Sequence, residues 1–311
     1  GWPEEGKVEI RDLVVRYRPG LPIVLDGVTF SIDGGEKIGI VGRTGAGKSS
    51  VVGTLLRLVE PEAGSIFIDG IDVLKIALKD LRGRLAIIPQ EPVLFSGTVR
   101  SNLDPFTEYS GKNQLCFYYA IWFPSAHAQV KTDQQLWDVL ERSNLKAGIA
   151  SSPQGLETTV AENGENWSTG QRQLLCLARA MLRNAKVIIL DEATASVDLE
   201  TDEFIQTAIR RDFASATILT IAHRLNTIAD YDRVLVLDHG RVKEYDSPYN
   251  LLTREGGSQF AEMVAETGEV NGAVVLGLAM GRGRKAGAAG DAFSARRTGG
   301  ADGGDCIAML P

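Results

Sequence analysis

The segment Gly42-Arg43-Thr44-Gly45-Ala46-Gly47-Lys48-Ser49 narrows the possible folds more than any other in the chain. It matches G-x-x-x-x-G-K-[ST], in which consecutive backbone N–H groups wrap phosphate oxygens and the glycines permit the tight path. The pattern carries this meaning only between a strand and a helix. Here Lys37-Ile38-Gly39-Ile40-Val41 reads as a short buried strand, and Ser50–Val59 carries apolar residues at Val51, Val52, Leu55, Leu56 and Val59, a helical spacing. The helix would aim its positive dipole end at the anion, Lys48 would reach the outer phosphates, and the Ser49 hydroxyl would ligate Mg²⁺.

The rest of the chain agrees with an α/β core. Val187–Leu190, Thr217–Ile221 and Arg233–Leu237 are near-continuous apolar runs of the kind buried in a parallel sheet. Helical stretches separate them, and a strand-rich stretch before Gly34-Gly35 predicts a β layer at the start. From about Val99 to Arg183 the pattern is mostly helical. The expected fold is therefore α/β with an N-terminal antiparallel β subdomain and an inserted helical subdomain at about 99–183. A formal charge of −7 argues against broad nucleic-acid binding. Cys116, Cys176 and Cys306 have no metal-binding spacing, and Cys176 lies on the packed face of a helix. No apolar run reaches the roughly 20 residues that span a bilayer. Without an initiator Met or a signal peptide, the chain reads as a fragment of something longer.

Val187-Ile188-Ile189-Leu190-Asp191-Glu192 supplies the partner of the phosphate loop. An apolar strand ending at Asp191 delivers its carboxylate to the C-terminal sheet edge, where α/β ligand sites lie, and there it can hold Mg²⁺. Glu192 can accept a proton from, or orient, a water attacking the terminal phosphate. Between the two motifs stands Ser168-Thr169-Gly170-Gln171-Arg172-Gln173-Leu174, in which Ser168 and Gln171 have capping-box spacing at a helix start.

This last segment closely resembles the signature sequence of ATP-binding-cassette (ABC) ATPases. With Glu162–Trp167 and Phe95–Phe106, it makes residues 3–265 similar to the second nucleotide-binding domain of the C subfamily, the multidrug-resistance-associated exporters. The resemblance implies a P-loop NTPase (RecA-like) core over 1–265, with ATP and Mg²⁺ as cofactors. It implies phosphate contacts from Gly42, Thr44, Gly45, Ala46, Gly47, Lys48, Ser49 and Ser50, with Tyr17 stacked on adenine. Gln90 after Ile87-Ile88-Pro89 falls at the Q-loop and joins Ser49 and Asp191 as a magnesium ligand. Ser196-Val197-Asp198 falls at the D-loop that crosses to the opposite domain. His223 falls at the H-loop and contacts the terminal phosphate beside Glu192. Ser168, Gly170 and Gln171 form an anion site facing ATP held by the other domain. Lys48, Gln90, Glu192 and His223 are then the catalytic set.

The implied function is ATP hydrolysis driving transmembrane export, in a sandwich dimer with a first nucleotide-binding domain on the cytoplasmic face of a membrane. The implied partners are that domain and the transmembrane domains. A regulatory cassette with little turnover is the alternative. Trp167 and Thr169 replace the leucine and glycine usual in the wider family and mark the subfamily. Two segments fall outside the resemblance. The aromatic-rich insert 110–132 reads either as a loop meeting a membrane helix or, preferably, as translated intron, because an exposed apolar cluster is a solubility liability. Residues 266–311, rich in Gly and Ala, read as a flexible tail.

Overall fold

The computed structural model describes residues 1–104, 131–191 and 197–282. The insert and residues 283–311 of the expected tail lie outside this set, apart from Lys131 and Thr132. Strands β1 (Val8–Val15) and β2 (Leu25–Ile32) pair antiparallel, with Val8 opposite Ile32. After β3 (Lys37–Val41), the strands β4 (Ala63–Ile68) and β5 (Ile71–Asp72) complete a four-stranded sheet in the order β2-β1-β4-β5. The two apolar runs at Val8–Ile10 and Leu13–Val15 are one strand. Asp12, at φ 49°, inserts a bulge that keeps the inward side chains facing the core.

The second sheet has six strands in the order β12-β11-β3-β10-β9-β6. Its members are β3, β6 (Leu85–Ile88), β9 (Val187–Asp191), β10 (Thr217–Ile221), β11 (Arg233–Asp238) and β12 (Arg241–Asp246). All pairings are parallel except the β11–β12 hairpin. Both faces are covered. Ile188, Leu190 and Ile218 enter a helical core, Val187, Ile189, Leu219 and Ile221 enter the core shared with the antiparallel sheet, and Val234 and Val236 enter a third cluster. Two covered faces explain why these strands read as unbroken apolar runs.

Helix α1 (Lys48–Leu55) follows β3, and α2 (Leu78–Arg84) leads into β6. The sequence carried the α1 pattern to Val59, but the helix stops where Arg57 takes φ 51° and donates from its side chain to Val73 O and Ile76 O. The inserted subdomain contains α3 (Val99–Leu103), α4 (Asp133–Arg142), α5 (Lys146–Ala150) and α6 (Thr169–Arg183). The short strands β7 (Gly97–Thr98) and β8 (Thr159–Val160) pair within it. Helix α7 (Leu199–Asp212) links β9 to β10. Beyond β12 come α8 (Pro248–Thr253) and α9 (Gln259–Glu266). The flexible-tail expectation fails over residues 269–282, which are helical. Val275 and Ala279, four apart, are buried, Val275 in the cluster built on Phe260 and Val264, and Arg282 pairs with Asp232. Gly and Ala hide this helix in the sequence because so few side chains carry its period.

The chain entering β1 is clasped by one carboxylate. Asp69 Oδ2 accepts from the amides of Glu4 (2.7 Å), Glu5 (3.0 Å) and Gly6 (3.2 Å), and Oδ1 accepts from Lys7 N (2.7 Å). Trp2 Nε1 donates to Ile68 O at 2.8 Å beside it. Burial raises the Asp69 pKa, but the amide hydrogen bonds outweigh that and hold it below the usual carboxylate range. Asp69→Ala should lower folding stability at pH 7 by about 1–2 kcal/mol, allowing for the solvent screening of a half-buried group. A folded pKa below the unfolded one means this contribution is present above the unfolded value, about 4, and is lost as pH falls through the folded pKa. Chemical denaturation of wild type and variant at pH 7 and pH 3 checks both parts: the gap should be fully open at the first and narrower at the second.

Candidate functional site

Register brings the site together. Ile221 pairs with Ile40 on one side and with Asp191 on the other. Ile88 pairs with Leu190. The chain leaves these four adjacent strands at one edge of the sheet. The phosphate loop follows β3, His223 stands two residues beyond Ile221, Asp191 ends β9, and Gln90 stands two residues beyond Ile88. This is the carboxyl edge, where helix starts and loop amides face a common crevice.

The loop geometry explains its glycines. Gly42 has φ 153°, and a methyl group on it would lie 2.3 Å from Leu237 O. Gly47 has φ 104°, caps α1 in the left-handed region, and leaves no room for a methyl beside Leu25 Cδ2 at 2.6 Å. Gly45, at φ 82°, opens onto free space. Lys48 is 7% exposed, and its Nζ donates to the carbonyls of Gly42 (2.7 Å) and Arg43 (3.2 Å). Thr44 and Ser49 are exposed, whereas Ala46 and Ser50 are buried. Ser50 Oγ lies 3.0 Å from Tyr17 Oη, so Ser50 anchors the half-exposed Tyr17 ring beside the start of α1.

Asp191 is half-buried. Burial pushes its carboxyl above the usual carboxylate range, against the opposing pull of His223 and Lys48. Gln90 and His223 are exposed at the same edge. Glu192 and Ser196 lie outside the described residues. Among the described residues no cluster of three or more His, Cys, Asp or Glu forms a metal cage. The potential donors here are instead a hydroxyl, a carboxamide and a carboxylate, which together make a hard, all-oxygen set suited to Mg²⁺ with retained waters.

At the start of α6 the capping box predicted by spacing is formed. Ser168 Oγ accepts from Gln171 N (3.1 Å), and Gln171 Oε1 accepts from Ser168 N (3.0 Å). Gly170 sits on the following turn, against the start of α7, where Asp198 caps the helix through Thr201 N at 3.0 Å. Hydrogen bonds from the Thr201 backbone and side chain hold the Asp198 carboxyl below its usual range. Thus the residues read from the sequence form two groups within one chain: the sheet-edge set, and the Ser168–Gly170–Gln171–Asp198 set.

Sequence reasoning missed Gln173. It is 1% exposed on α6 and donates from Nε2 to Pro89 O at 3.1 Å, tying the helical subdomain to the segment carrying Gln90. Its only sequence signal was a polar residue on the apolar face of α6. Trp167 packs half-buried against the helical core, and Cys176 is buried, with its thiol pushed up by burial. A cleft of about 520 Å³ flanks the phosphate loop between Arg43–Ala46, the β11–β12 turn and the start of α9. Tyr17, Asp191 and His223 do not line it, so it is not the crevice described above.

The two loop glycines differ in what a side chain would meet. Gly42→Ala should cost at least about 2 kcal/mol through backbone collision, and Gly45→Ala about 1 kcal/mol from its left-handed φ alone. Urea unfolding of both variants should reproduce that order.

Comparison with known proteins agrees with the geometry. The family model described as "ABC transporter" matches residues 25–195, more than half of the chain. The chain is 54% identical over 256 residues to ATP-binding cassette sub-family C member 3 of Rattus norvegicus, covering 82% of this chain and 15% of that protein. It is 52% identical over 281 residues to ABC transporter C family member 3 of Dictyostelium discoideum, covering 90% of this chain and 18% of the relative. It therefore spans less than a fifth of these relatives' lengths. Among solved structures, a bacterial Atm1-family ABC exporter with ATP bound superposes with a TM-score of 0.73 at 32% identity, over 86% of this chain and 42% of the other. The phosphate loop, the strand-end carboxylate, the capped signature helix and these likenesses lead to one conclusion: the chain belongs to the ABC transporter family, with its curated likeness to sub-family C.

Proposed function

We propose that this chain is the second nucleotide-binding domain of a subfamily-C exporter and hydrolyses Mg-ATP to drive transport. The observation that carries the reading is the alignment of Ile40, Ile221 and Asp191 across three neighbouring strands, which sets a phosphate loop, a histidine and a carboxylate side by side. The amides of Gly45–Ser49 and the α1 dipole would hold the phosphates, and Lys48 would exchange its bonds to the loop carbonyls for phosphate oxygens. Tyr17, steadied by Ser50, would offer its exposed face to adenine. Bound magnesium, held by Ser49, Asp191 and Gln90, would neutralise charge on the phosphate oxygens. The raised Asp191 pKa fits that role, because a carboxylate short of compensating charge is stabilised by a cation.

Glu192, one residue beyond Asp191 in sequence, would orient the attacking water and take up its proton, with His223 facing the terminal phosphate. Catalysis of this kind rests on positioning and on charge stabilisation of a loose phosphoryl-transfer transition state. The capped start of α6, with Ser168 and Gly170, would face ATP held by a first nucleotide-binding domain, and Asp198 would cross toward it. Two ATP molecules would then be sandwiched, each in a site made by both domains. Among the described residues no helix is long and apolar enough to cross a bilayer, and transmembrane domains would supply the spans.

Calorimetry should detect nucleotide uptake that requires magnesium. Glu192→Gln should keep that affinity within about threefold while cutting phosphate release at least about a hundredfold, trapping ATP. Absence of magnesium-dependent uptake by folded wild type, or undiminished turnover by the variant, would sink the assignment.

A further inference from the structure

The residue after His223 is Arg224, and its Nη1 donates to Oδ2 of Asp202 at 2.9 Å. Asp202 is only 9% exposed and sits in the first turn of α7. Its other carboxylate oxygen, Oδ1, is buried with no hydrogen-bond partner. A buried carboxylate satisfied on one side only is costly, and removing its cation would leave that charge uncompensated. Arg210, which also feels Asp202 electrostatically, is engaged with Asp230 at 2.9 and 3.0 Å. Arg224 is itself held in place: its carbonyl accepts from Thr227 Oγ1 at 2.7 Å and from Thr227 N at 3.3 Å.

The same helical turn has a second neighbour. Its cap, Asp198, binds Thr201 through backbone (3.0 Å) and hydroxyl (2.8 Å), which makes Asp198–Asp202 a closed unit. Gly170 of α6 lies against it: a methyl there would stand 3.3 Å from Thr201 Cγ2 and Oγ1 and 3.7 Å from Asp198 Oδ2. One closed turn therefore touches the start of the signature helix on one side and is ion-paired to the neighbour of His223 on the other.

We propose that the Asp202–Arg224 pair is a positioning link through which the start of α6 and Asp198 set the orientation of His223. The inference rests on the function proposed above, in which α6 serves one ATP and His223 the other. The pair then couples the two composite sites within a single chain. Such a link needs a contiguous set of contacts with few free rotations, and a hydrogen-bonded turn bracketed by a close glycine contact and an ion pair provides one. Asp202 and Arg224 touch no reacting atom; they act through His223.

The test is steady-state phosphate release against ATP concentration by the full chain, at concentrations where two copies complete each other's sites, with nucleotide affinity measured alongside. Asp202→Asn and Arg224→Gln should each lower kcat about tenfold, leave KM within about twofold, and reduce the Hill coefficient from above 1 to about 1. Asp202→Glu, which keeps the charge, should recover most of both. The half-exposed Arg224 makes Arg224→Gln the variant safer for folding, and melting temperatures should show each variant folded at the assay temperature. A kcat and Hill coefficient equal to wild type in Arg224→Gln would overturn the link, as would a rise in KM at unchanged kcat, or failure of Asp202→Glu to rescue. A wild type that binds Mg-ATP without releasing phosphate, both alone and with a first nucleotide-binding domain added, would instead remove the proposed function, and the link with it.

Discussion

The register of the central sheet is the constraint on which the rest depends. Because β3, β10, β9 and β6 run parallel and lie next to one another, every loop leaving them at the carboxyl end enters one crevice. A slip of one residue would turn Asp191 from the edge and send Leu190 out of its core. The slip is prevented by burial on two faces: Ile188 and Leu190 belong to the helical core, while Val187 and Ile189 belong to the core shared with the antiparallel sheet. Packing on both faces is what makes the chemistry at the edge reproducible.

Around that sheet, the smaller parts act as clasps. Asp69 gathers the incoming backbone with four amides, fixing where any upstream segment joins the β layer. Gln173 fastens the inserted helices to the turn before Gln90. Asp202 and Arg224 fasten α7 to the segment after β10. Each clasp joins segments distant in sequence through a polar contact of specific geometry, and the Gln173 and Asp202 clasps use side chains that are buried. This gives a rigid core with a few discrete linkages, suited to passing a rearrangement at one edge to another.

Much of this was legible in the amino-acid order. The phosphate loop declared itself because its glycines are needed at Gly42 and Gly47 for reasons of close approach and left-handed backbone. The strands before Asp191 and through Ile221 were legible because double burial demands unbroken apolar runs. The Ser168–Gln171 box was legible because capping is local, and the structure forms it as spacing requires. Beyond such local rules the sequence was a weaker guide. The helix over 269–282 was hidden by Gly and Ala, and β12 by its mixed polar composition; distant residues help hold each, Val275 packing in the cluster that holds Val41 and Tyr245 resting on Phe30 and Ser31. Ser50, expected among the phosphate-binding residues, is buried with its hydroxyl on Tyr17.

By itself, the sequence determined the local devices: a loop that must wrap an anion, a strand that must end in a carboxylate, and a helix that must begin at Ser168. Periodicity and capping act over a few residues and need no knowledge of the rest. Only the tertiary structure decided which devices share a crevice. It placed Asp191 and His223 at the ends of the two strands next in sheet order to the one that leads into the phosphate loop, and set Gly170 against Asp198 at the start of α7. It also buried Asp202 and Gln173 at junctions where no local pattern marks them. Those outcomes depend on strand order and register, which arise from burial summed over the whole sheet rather than from any single stretch of residues.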